Sequence, residues 1–333
     1  MRVIQRVLYI SLVLFLSCNK SADKKKIISG YSFGTSFSVQ FQKNNNENVV
    51  KNKIDSLFKI INNSFSTYIY DSDISKINRG DSLLLVDNHL KKVFIKSHEI
   101  WKLSKGFFDP TVGSLVNAYG FGPGNKINNI SKKQLDSLIE LTGFSKVSLT
   151  SKGTIKKKYS NIYIDFNAIG KGYAVDLLSE LFLSYDIKNF LIEIGGEILA
   201  KGKNPNTGKF WKVAIDNPSH KKNRQFIKTM FLKNKALATS GNYRKYRVDS
   251  LTGNKYVHTI NPKNGKSFQS KILSVSVLAN DCMTADAWAT ALMIMPIELS
   301  KRIIESLEGI DAYWILSNKT DYDEVFSSNW PDS

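Results

Sequence analysis

Asp286 and Thr290 stand four residues apart in a segment, 283–293, that is otherwise nearly apolar (Ala285, Ala287, Trp288, Ala289, Ala291, Leu292). Positions i and i+4 share one face of a helix, so a carboxylate and a hydroxyl at that spacing can reach a single hard cation. Oxygen-only donors suit magnesium, which keeps several waters and shares its shell with substrate phosphates. The same pair is common on solvated helices, but a carboxylate on an apolar helix needs a partner. A second chemical cue lies at 164–176. Residues 161–166 alternate as a half-buried strand does, 174–183 carry the period of an amphipathic helix, and Gly170-Lys171-Gly172 between them reads as a tight turn. Such a turn presents free N–H groups, the positive end of a helix dipole and the Lys171 cation at one point, a place for a phosphate. Asp165, at the end of the strand, adds an acceptor for a ribose, a ring N–H or a metal. An ordinary connection with a solvated lysine would look the same, and the spacing matches neither the dinucleotide fingerprint nor the P-loop.

The elements that must position these groups follow from periodicity and punctuation. Residues 27–42 read as a strand pair interrupted at 30–35, and 49–62 as a helix with Ile54, Leu57, Phe58 and Ile61 on one face. Tyr68 sits in a loop before a short capped helix at 73–78, as a stacking platform or as half-buried packing. A helix at 89–104, with Val93, Ile95, His98, Ile100 and Trp101 available for burial, stops at Gly106. The glycine- and aromatic-rich stretch 106–123 reads as a ligand-facing loop around a short helix. A helix at 131–142 and a hairpin over 147–164 turned at Lys152-Gly153 precede the Lys171 turn. After it come a strand at 190–194 ending in Gly195-Gly196, where a chain or ligand can approach the backbone closely, and a strand at 211–215 turned at Asp216-Asn217-Pro218. A strand ending on Thr239-Ser240, a turn at 258–265 and an alternating strand at 272–279 complete the list before the Asp286 helix.

Composition narrows the partners. The 333 residues carry a net charge of +18, from 47 basic and 29 acidic side chains. Only seven of the basic residues are arginine, and no basic stripe interleaved with aromatics is present, which argues against a nucleic-acid reader. A lysine-rich surface facing anionic lipid accounts better for the excess. Arg2 and Arg6, an apolar run at 7–16 and Leu16-Ser17-Cys18 resemble a bacterial lipoprotein signal with Cys18 as the lipidated residue. Residues 1–18 are then the signal, 19–28 a polar tether and 29–325 the working domain. A short uncleaved anchor is the alternative, and both place the body outside the cytoplasm. With Cys18 used, Cys282 has no disulfide partner and no nearby histidine for thiol catalysis, and the four histidines lack zinc-ligand spacing.

Taken together, the segments resemble the ApbE family, the FAD:protein FMN transferases. The resemblance runs in order through Ser66-Thr67-Tyr68 with 73–78, Phe108-Asp109-Pro110-Thr111-Val112-Gly113, 164–176, Ile194-Gly195-Gly196-Glu197, Thr239-Ser240-Gly241-Asn242-Tyr243, His258-Thr259-Ile260-Asn261-Pro262 and 285–290. It implies a single α+β unit, related to the T-fold, with a flavin-binding cleft. It also implies magnesium at Asp286, Thr290 and the carbonyl of Ala168. FAD would be contacted at Phe33, Tyr68, Phe107, Phe108, Asp109, Asp165, Lys171 and Ile260, with Asp286 and Lys171 serving catalysis. The implied reaction passes FMN from FAD to a threonine hydroxyl of an exported or membrane flavoprotein and releases AMP. Two other outcomes use the same residues: a FAD pyrophosphatase giving FMN and AMP, and a non-catalytic FAD-binding lipoprotein.

Overall fold

A computed structural model describes residues 24–43, 47–218, 225–242, 246–248, 255–267, 270–318 and 321–331. Cys18, the signal segment, His220 and Tyr243 lie outside the described residues. The strands are β1 (Lys25–Ser32), β2 (Thr35–Gln42), β3 (Val147–Leu149), β4 (Ile155–Lys157), β5 (Phe190–Ile194), β6 (Glu197–Lys201), β7 (Trp211–Asp216), β8 (Phe226–Leu232), β9 (Ala236–Gly241), β10 (Tyr246–Val248), β11 (Lys255–Val257), β12 (Ile272–Ala279), β13 (Asp311–Ser317) and β14 (Tyr322–Phe326). The helices are α1 (Glu47–Phe65), α2 (Asp73–Asn78), α3 (Asn88–Leu103), α4 (Gly113–Ala118), α5 (Lys132–Glu140), α6 (Asn167–Ser184), α7 (Cys282–Leu292) and α8 (Ile297–Glu305).

Eight strands form one sheet in the order β1-β2-β5-β6-β9-β12-β13-β14, every neighbouring pair antiparallel. Its two faces are covered differently. Helices α1, α3, α6 and α7 close one face over a large core that includes Phe41, Ile54, Phe182, Phe190, Trp288 and Trp314. The β7–β8 ribbon covers the other face over a smaller core of Trp211, Met230, Leu237, Leu278, Tyr313 and Trp330. This makes a single α+β unit. Because β12 lies between the two cores, it is buried at nearly every position from Ser274 to Ala279, where its sequence suggested simple alternation.

Other departures from the sequence reading have local causes. β1 begins at Lys25, inside the stretch read as a tether, because Lys25–Ser32 pairs residue for residue with β2. At the far end Trp330 is buried in the second core, so the folded unit extends past residue 325. On α3 it is Phe94 and Ser97, not Ile95, that face inward; Ile95 is exposed. Residues 161–166 do alternate in burial, yet they pair with no strand. The Asn78 side chain takes a strand's place, accepting from the Ile164 N–H at 2.8 Å and donating to the Ile164 carbonyl at 2.9 Å.

The largest departure is at Gly170-Lys171-Gly172. These residues are no turn: α6 begins at Asn167 and runs straight through them. Nor is α6 amphipathic, since Tyr173, Ala174, Val175, Leu177, Leu178 and Phe182 bury it on most sides. Gly172 is glycine because α6 crosses α7 there. A Cβ would lie 2.3 Å from the Cys282 carbonyl oxygen and 2.8 Å from the Asp286 Cβ.

Candidate active site

The crossing of α6 and α7 is fastened from both sides. Asp176 on α6 accepts from the Cys282 and Met283 amides at 2.7 and 2.8 Å, filling orphan donors at the start of α7 beside the N-cap Asp281. One turn earlier on α6, the Gly172 amide donates to Asp286 Oδ2 at 2.9 Å. Ala168 lies one helical turn before Gly172 on α6, so its carbonyl points toward the residue whose amide Asp286 accepts. Thr290 follows one turn along α7, its hydroxyl 3.4 Å from Ser240 Oγ at the end of β9. The structure thus brings Ala168, Asp286 and Thr290 to one place.

Lys171 completes the group. Its Nζ is 3.7 Å from Asp286 Oδ1 and 3.4 Å from Oε1 of Glu197, the first residue of β6. Glu197 is 4 % exposed and Asp286 2 %, so the ammonium neutralises two buried carboxylates. Burial works against the Lys171 charge, but Asp286 and Glu197 overrule it and hold the ammonium well above the ordinary lysine range. Burial raises both carboxylates, with Lys171 opposing. Glu197 Oε2 has no hydrogen-bond partner. Glu197 was not among the site residues expected from sequence. Its signal was a carboxylate directly after Gly195-Gly196 and ahead of the apolar Ile198-Leu199-Ala200.

From this group the contacts continue around a cleft. The Asp165 carboxylate accepts from the Asn167 amide at 2.8 Å at the start of α6, and its own amide donates to the Pro110 carbonyl at 2.8 Å. Burial raises the Asp165 carboxyl above the usual range. Tyr68 is exposed, its hydroxyl 3.3 Å from the Phe121 carbonyl, and Asp165 is close enough to help burial raise its pKa. The Phe121 ring meets His258 edge to face at 6.4 Å. Thr259 donates to Asn242 at 2.6 Å, tying the buried Ile260 segment to the end of β9 beside Ser240.

The remaining expected residues lie less directly on the cleft. The Asp109 carboxylate accepts from the Thr111 amide and hydroxyl and from the Phe144 amide, so it shapes the 107–113 loop and does not face the cleft. Phe108 is in the core, and the Phe107 ring lies under the Lys263 ammonium, 4.5 Å away, in the same turn as Ile260. Phe33, at the tip of the β1–β2 hairpin, has a φ of 51° and is held there by its edge contact with Phe58 at 5.1 Å. A bulky side chain in that region is strained and persists only where packing over-determines it. Thr35, two residues on, is the side chain that Gly195 leaves room for, so this hairpin abuts the Glu197 turn.

The profile of the ApbE family matches residues 33–314. This chain belongs to the ApbE family. A Vibrio cholerae protein named FAD:protein FMN transferase is 32% identical over 326 residues, 96% of each chain. The Escherichia coli K12 protein of the same name is 31% identical over 272 residues, 80% of this chain and 76% of its own. Among solved structures, the flavin transferase ApbE from Vibrio cholerae superposes with a TM-score of 0.82 at 30% identity, covering 91% of this chain and 97% of that one. The apo form of the flavinyl transferase ApbE from Pseudomonas stutzeri gives 0.80 at 26% identity, over 92% and 95%.

Proposed function

We propose that this chain transfers FMN from FAD to a protein acceptor, at a threonine hydroxyl, with release of AMP. The observation that carries the reading is the Lys171 ammonium between the buried Glu197 and Asp286, beside Ala168 and Thr290. A half-buried cation with access to solvent is where a pyrophosphate would be held.

The donor set fits magnesium. Asp286 carboxylate, Thr290 hydroxyl and Ala168 carbonyl are all hard oxygens, and a carbonyl and a hydroxyl suffice alongside one acid. Among the described residues no cluster of three or more His, Cys, Asp or Glu is placed to hold a metal. When bound, magnesium would neutralise charge on the pyrophosphate. The chain's own residues would supply placement, which is most of what phosphoryl transfer asks of a protein. Lys171 binds an anionic phosphate oxygen, and the α6–α7 clamp fixes its direction. Tyr68 offers an exposed ring for a planar group, and Asp165 an acceptor close to it. Water in place of the threonine would give FMN and AMP from the same geometry.

The chain is further read as exported and held at a membrane through a lipidated Cys18. Among the described residues no helix is long and apolar enough to cross a bilayer.

The test is to incubate the chain from residue 19 with FAD and magnesium, with and without a threonine-bearing acceptor domain, following AMP and the acceptor's mass. An acceptor gaining one FMN in step with AMP is the expected result. AMP with free FMN and an unlabelled acceptor would replace transfer by hydrolysis, and intact bound FAD throughout would leave a carrier. Asp286→Ala should lower magnesium-dependent turnover at least about a hundredfold, since the lost group is worth several kcal/mol at a developing charge. Full activity in that variant would remove the metal reading.

A further inference from the structure

The sheet has two chemically different ends. One end carries the β1–β2 tip, the Gly195-Gly196 turn, Glu197 and Ser240, which is the site end. At the other end the register brings together the start of β1, the end of β2, the start of β5, the end of β6 and the β8–β9 turn. Side chains stitch these segments together. The Lys24 amide donates to Asn206 Oδ1 at 3.0 Å, the Lys43 amide to the Lys24 carbonyl at 2.9 Å, and the Lys203 amide to Asn189 Oδ1 at 2.8 Å.

The β1–β6 side of this far end is strongly basic, whereas the end of β12 and the start of β13, tied to Lys235 through Asn280 and the Gly309 carbonyl, carry Asp281, Glu308 and Asp311. Lys24, Lys43, Lys188, Lys203, Lys209 and Lys233 are all exposed on the basic side. Across the segments 24–26, 43, 186–189, 201–210 and 233–235 the sequence has one acidic residue, Asp186, and it is ion-paired with Lys188 at 2.9 Å. Between the lysines lies a half-buried aromatic: the Phe210 ring has the Lys203 ammonium 5.6 Å and the Lys233 ammonium 5.7 Å from its centroid. A ring among ammonium groups is the composition of a headgroup-level contact.

The described chain also begins at this end, at Lys24. On the anchored reading above, five residues separate Lys24 from Cys18, a reach of at most about 22 Å fully extended. We infer that this lysine end is the face the protein lays on an anionic phospholipid surface, held there by charge as well as by the anchor. Neutralisation of headgroups by clustered lysines acts within a Debye length, about 8–10 Å, and a tether of this reach lets the lysines come that close. The eight residues of β2 then stand the catalytic end on the order of 25 Å above the bilayer, turned toward acceptors rather than toward lipid.

The core residues of both clusters lie between Ile28 and Trp330, so a chain starting at residue 19 keeps the fold. That chain, without Cys18, is mixed with vesicles of phosphatidylcholine alone or with about a third phosphatidylglycerol, at about 0.1 M salt. The anionic vesicles should bind it at least about tenfold more tightly, and about 0.5 M salt should abolish the difference. Lys24→Glu, Lys203→Glu, Lys209→Glu and Lys233→Glu combined should remove that preference while FAD turnover stays unchanged. A control with Lys91→Glu, Lys92→Glu, Lys132→Glu and Lys133→Glu, equal in net charge but away from this end, should keep binding within about threefold. Equal losses in the two variants, or no preference for anionic vesicles in the parent, would overturn the inference. Lipid attachment plays no part in this result, so its failure is separable from that of the anchor.

Discussion

Asp286 shows how far one residue can be read from sequence. A carboxylate on an apolar helix must have a partner, and the structure gives it two: the Lys171 ammonium and the Gly172 amide. The partner lies 115 positions earlier in the chain, so sequence could require it without locating it; Gly170-Lys171-Gly172 pointed to Lys171 as an anion site, not as the partner of this carboxylate. Glu197 escaped because glycines at 195 and 196 explain themselves as a turn, which hides the residue that the turn delivers. Asp176 escaped for a similar reason, as one polar residue in a helix read as amphipathic. Its carboxyl is pushed up to about 7 by burial, against the Cys282 and Met283 amides and with help from Asp281 and Glu180. An unfolded aspartate titrates near 4, so between about 4 and 7 the folded state holds a proton that the unfolded state has lost. This contribution to stability is full below about 4 and is lost as pH rises to about 7. Between pH 5 and 8 the ligand-free protein should therefore lose on the order of 2 kcal/mol more than Asp176→Asn, read from denaturant midpoints. Equal losses would mean that the two amides, not burial, set this carboxyl.

At the scale of elements, glycine was the misleading signal. Gly170-Lys171-Gly172 was read as a break because glycine is a poor helix former, costing about 1 kcal/mol relative to alanine. Tertiary contact overrides that cost, since α6 can meet the Cys282 carbonyl only without a Cβ at 172. The opposite error occurred at 161–166, where a true alternation belongs to no sheet because Asn78, 86 positions away, supplies the hydrogen bonds. Helices α1 and α3 and strands β5, β7 and β12, by contrast, were visible within a few residues, because their burial repeats locally, whereas β8, β13, β14 and α8 were not read from the sequence. Gly172→Ala should separate α6 from α7, with an overpacking cost of roughly 1–3 kcal/mol. It should also lengthen the Gly172 to Asp286 bond, so FAD turnover should fall by more than the folded fraction does. Gly170→Ala meets only the Phe65 ring, at 2.9 Å, and should lose stability without that excess loss of turnover. If both variants lost turnover only in proportion to unfolding, the crossing would be packing and not positioning.

For the whole molecule, one sheet separates two jobs. The face under α6 and α7 carries the reactive groups, and the face under the β7–β8 ribbon has none of the residues gathered at the cleft. Composition hinted at neither division, because both cores draw on the same apolar residues and their separation depends on strand order. The division can be tested by removing equal support from each face. Trp211 and Ile169 are both essentially unexposed, one in the ribbon's core and the other next to Ala168. Truncating a large core side chain costs about 2–5 kcal/mol, and Trp211 also gives up its bond to the Lys201 carbonyl at 2.9 Å. Trp211→Ala should thus lower the denaturant midpoint about as much as Ile169→Ala, or more, yet leave the KM for FAD within about twofold. Ile169→Ala should raise that KM several-fold, because the cavity it opens lies under the turn of α6 that bears Ala168 and Lys171. A matching rise in both variants would mean that the ribbon side supports the cleft as directly as the helix side does, and that the two faces work as one.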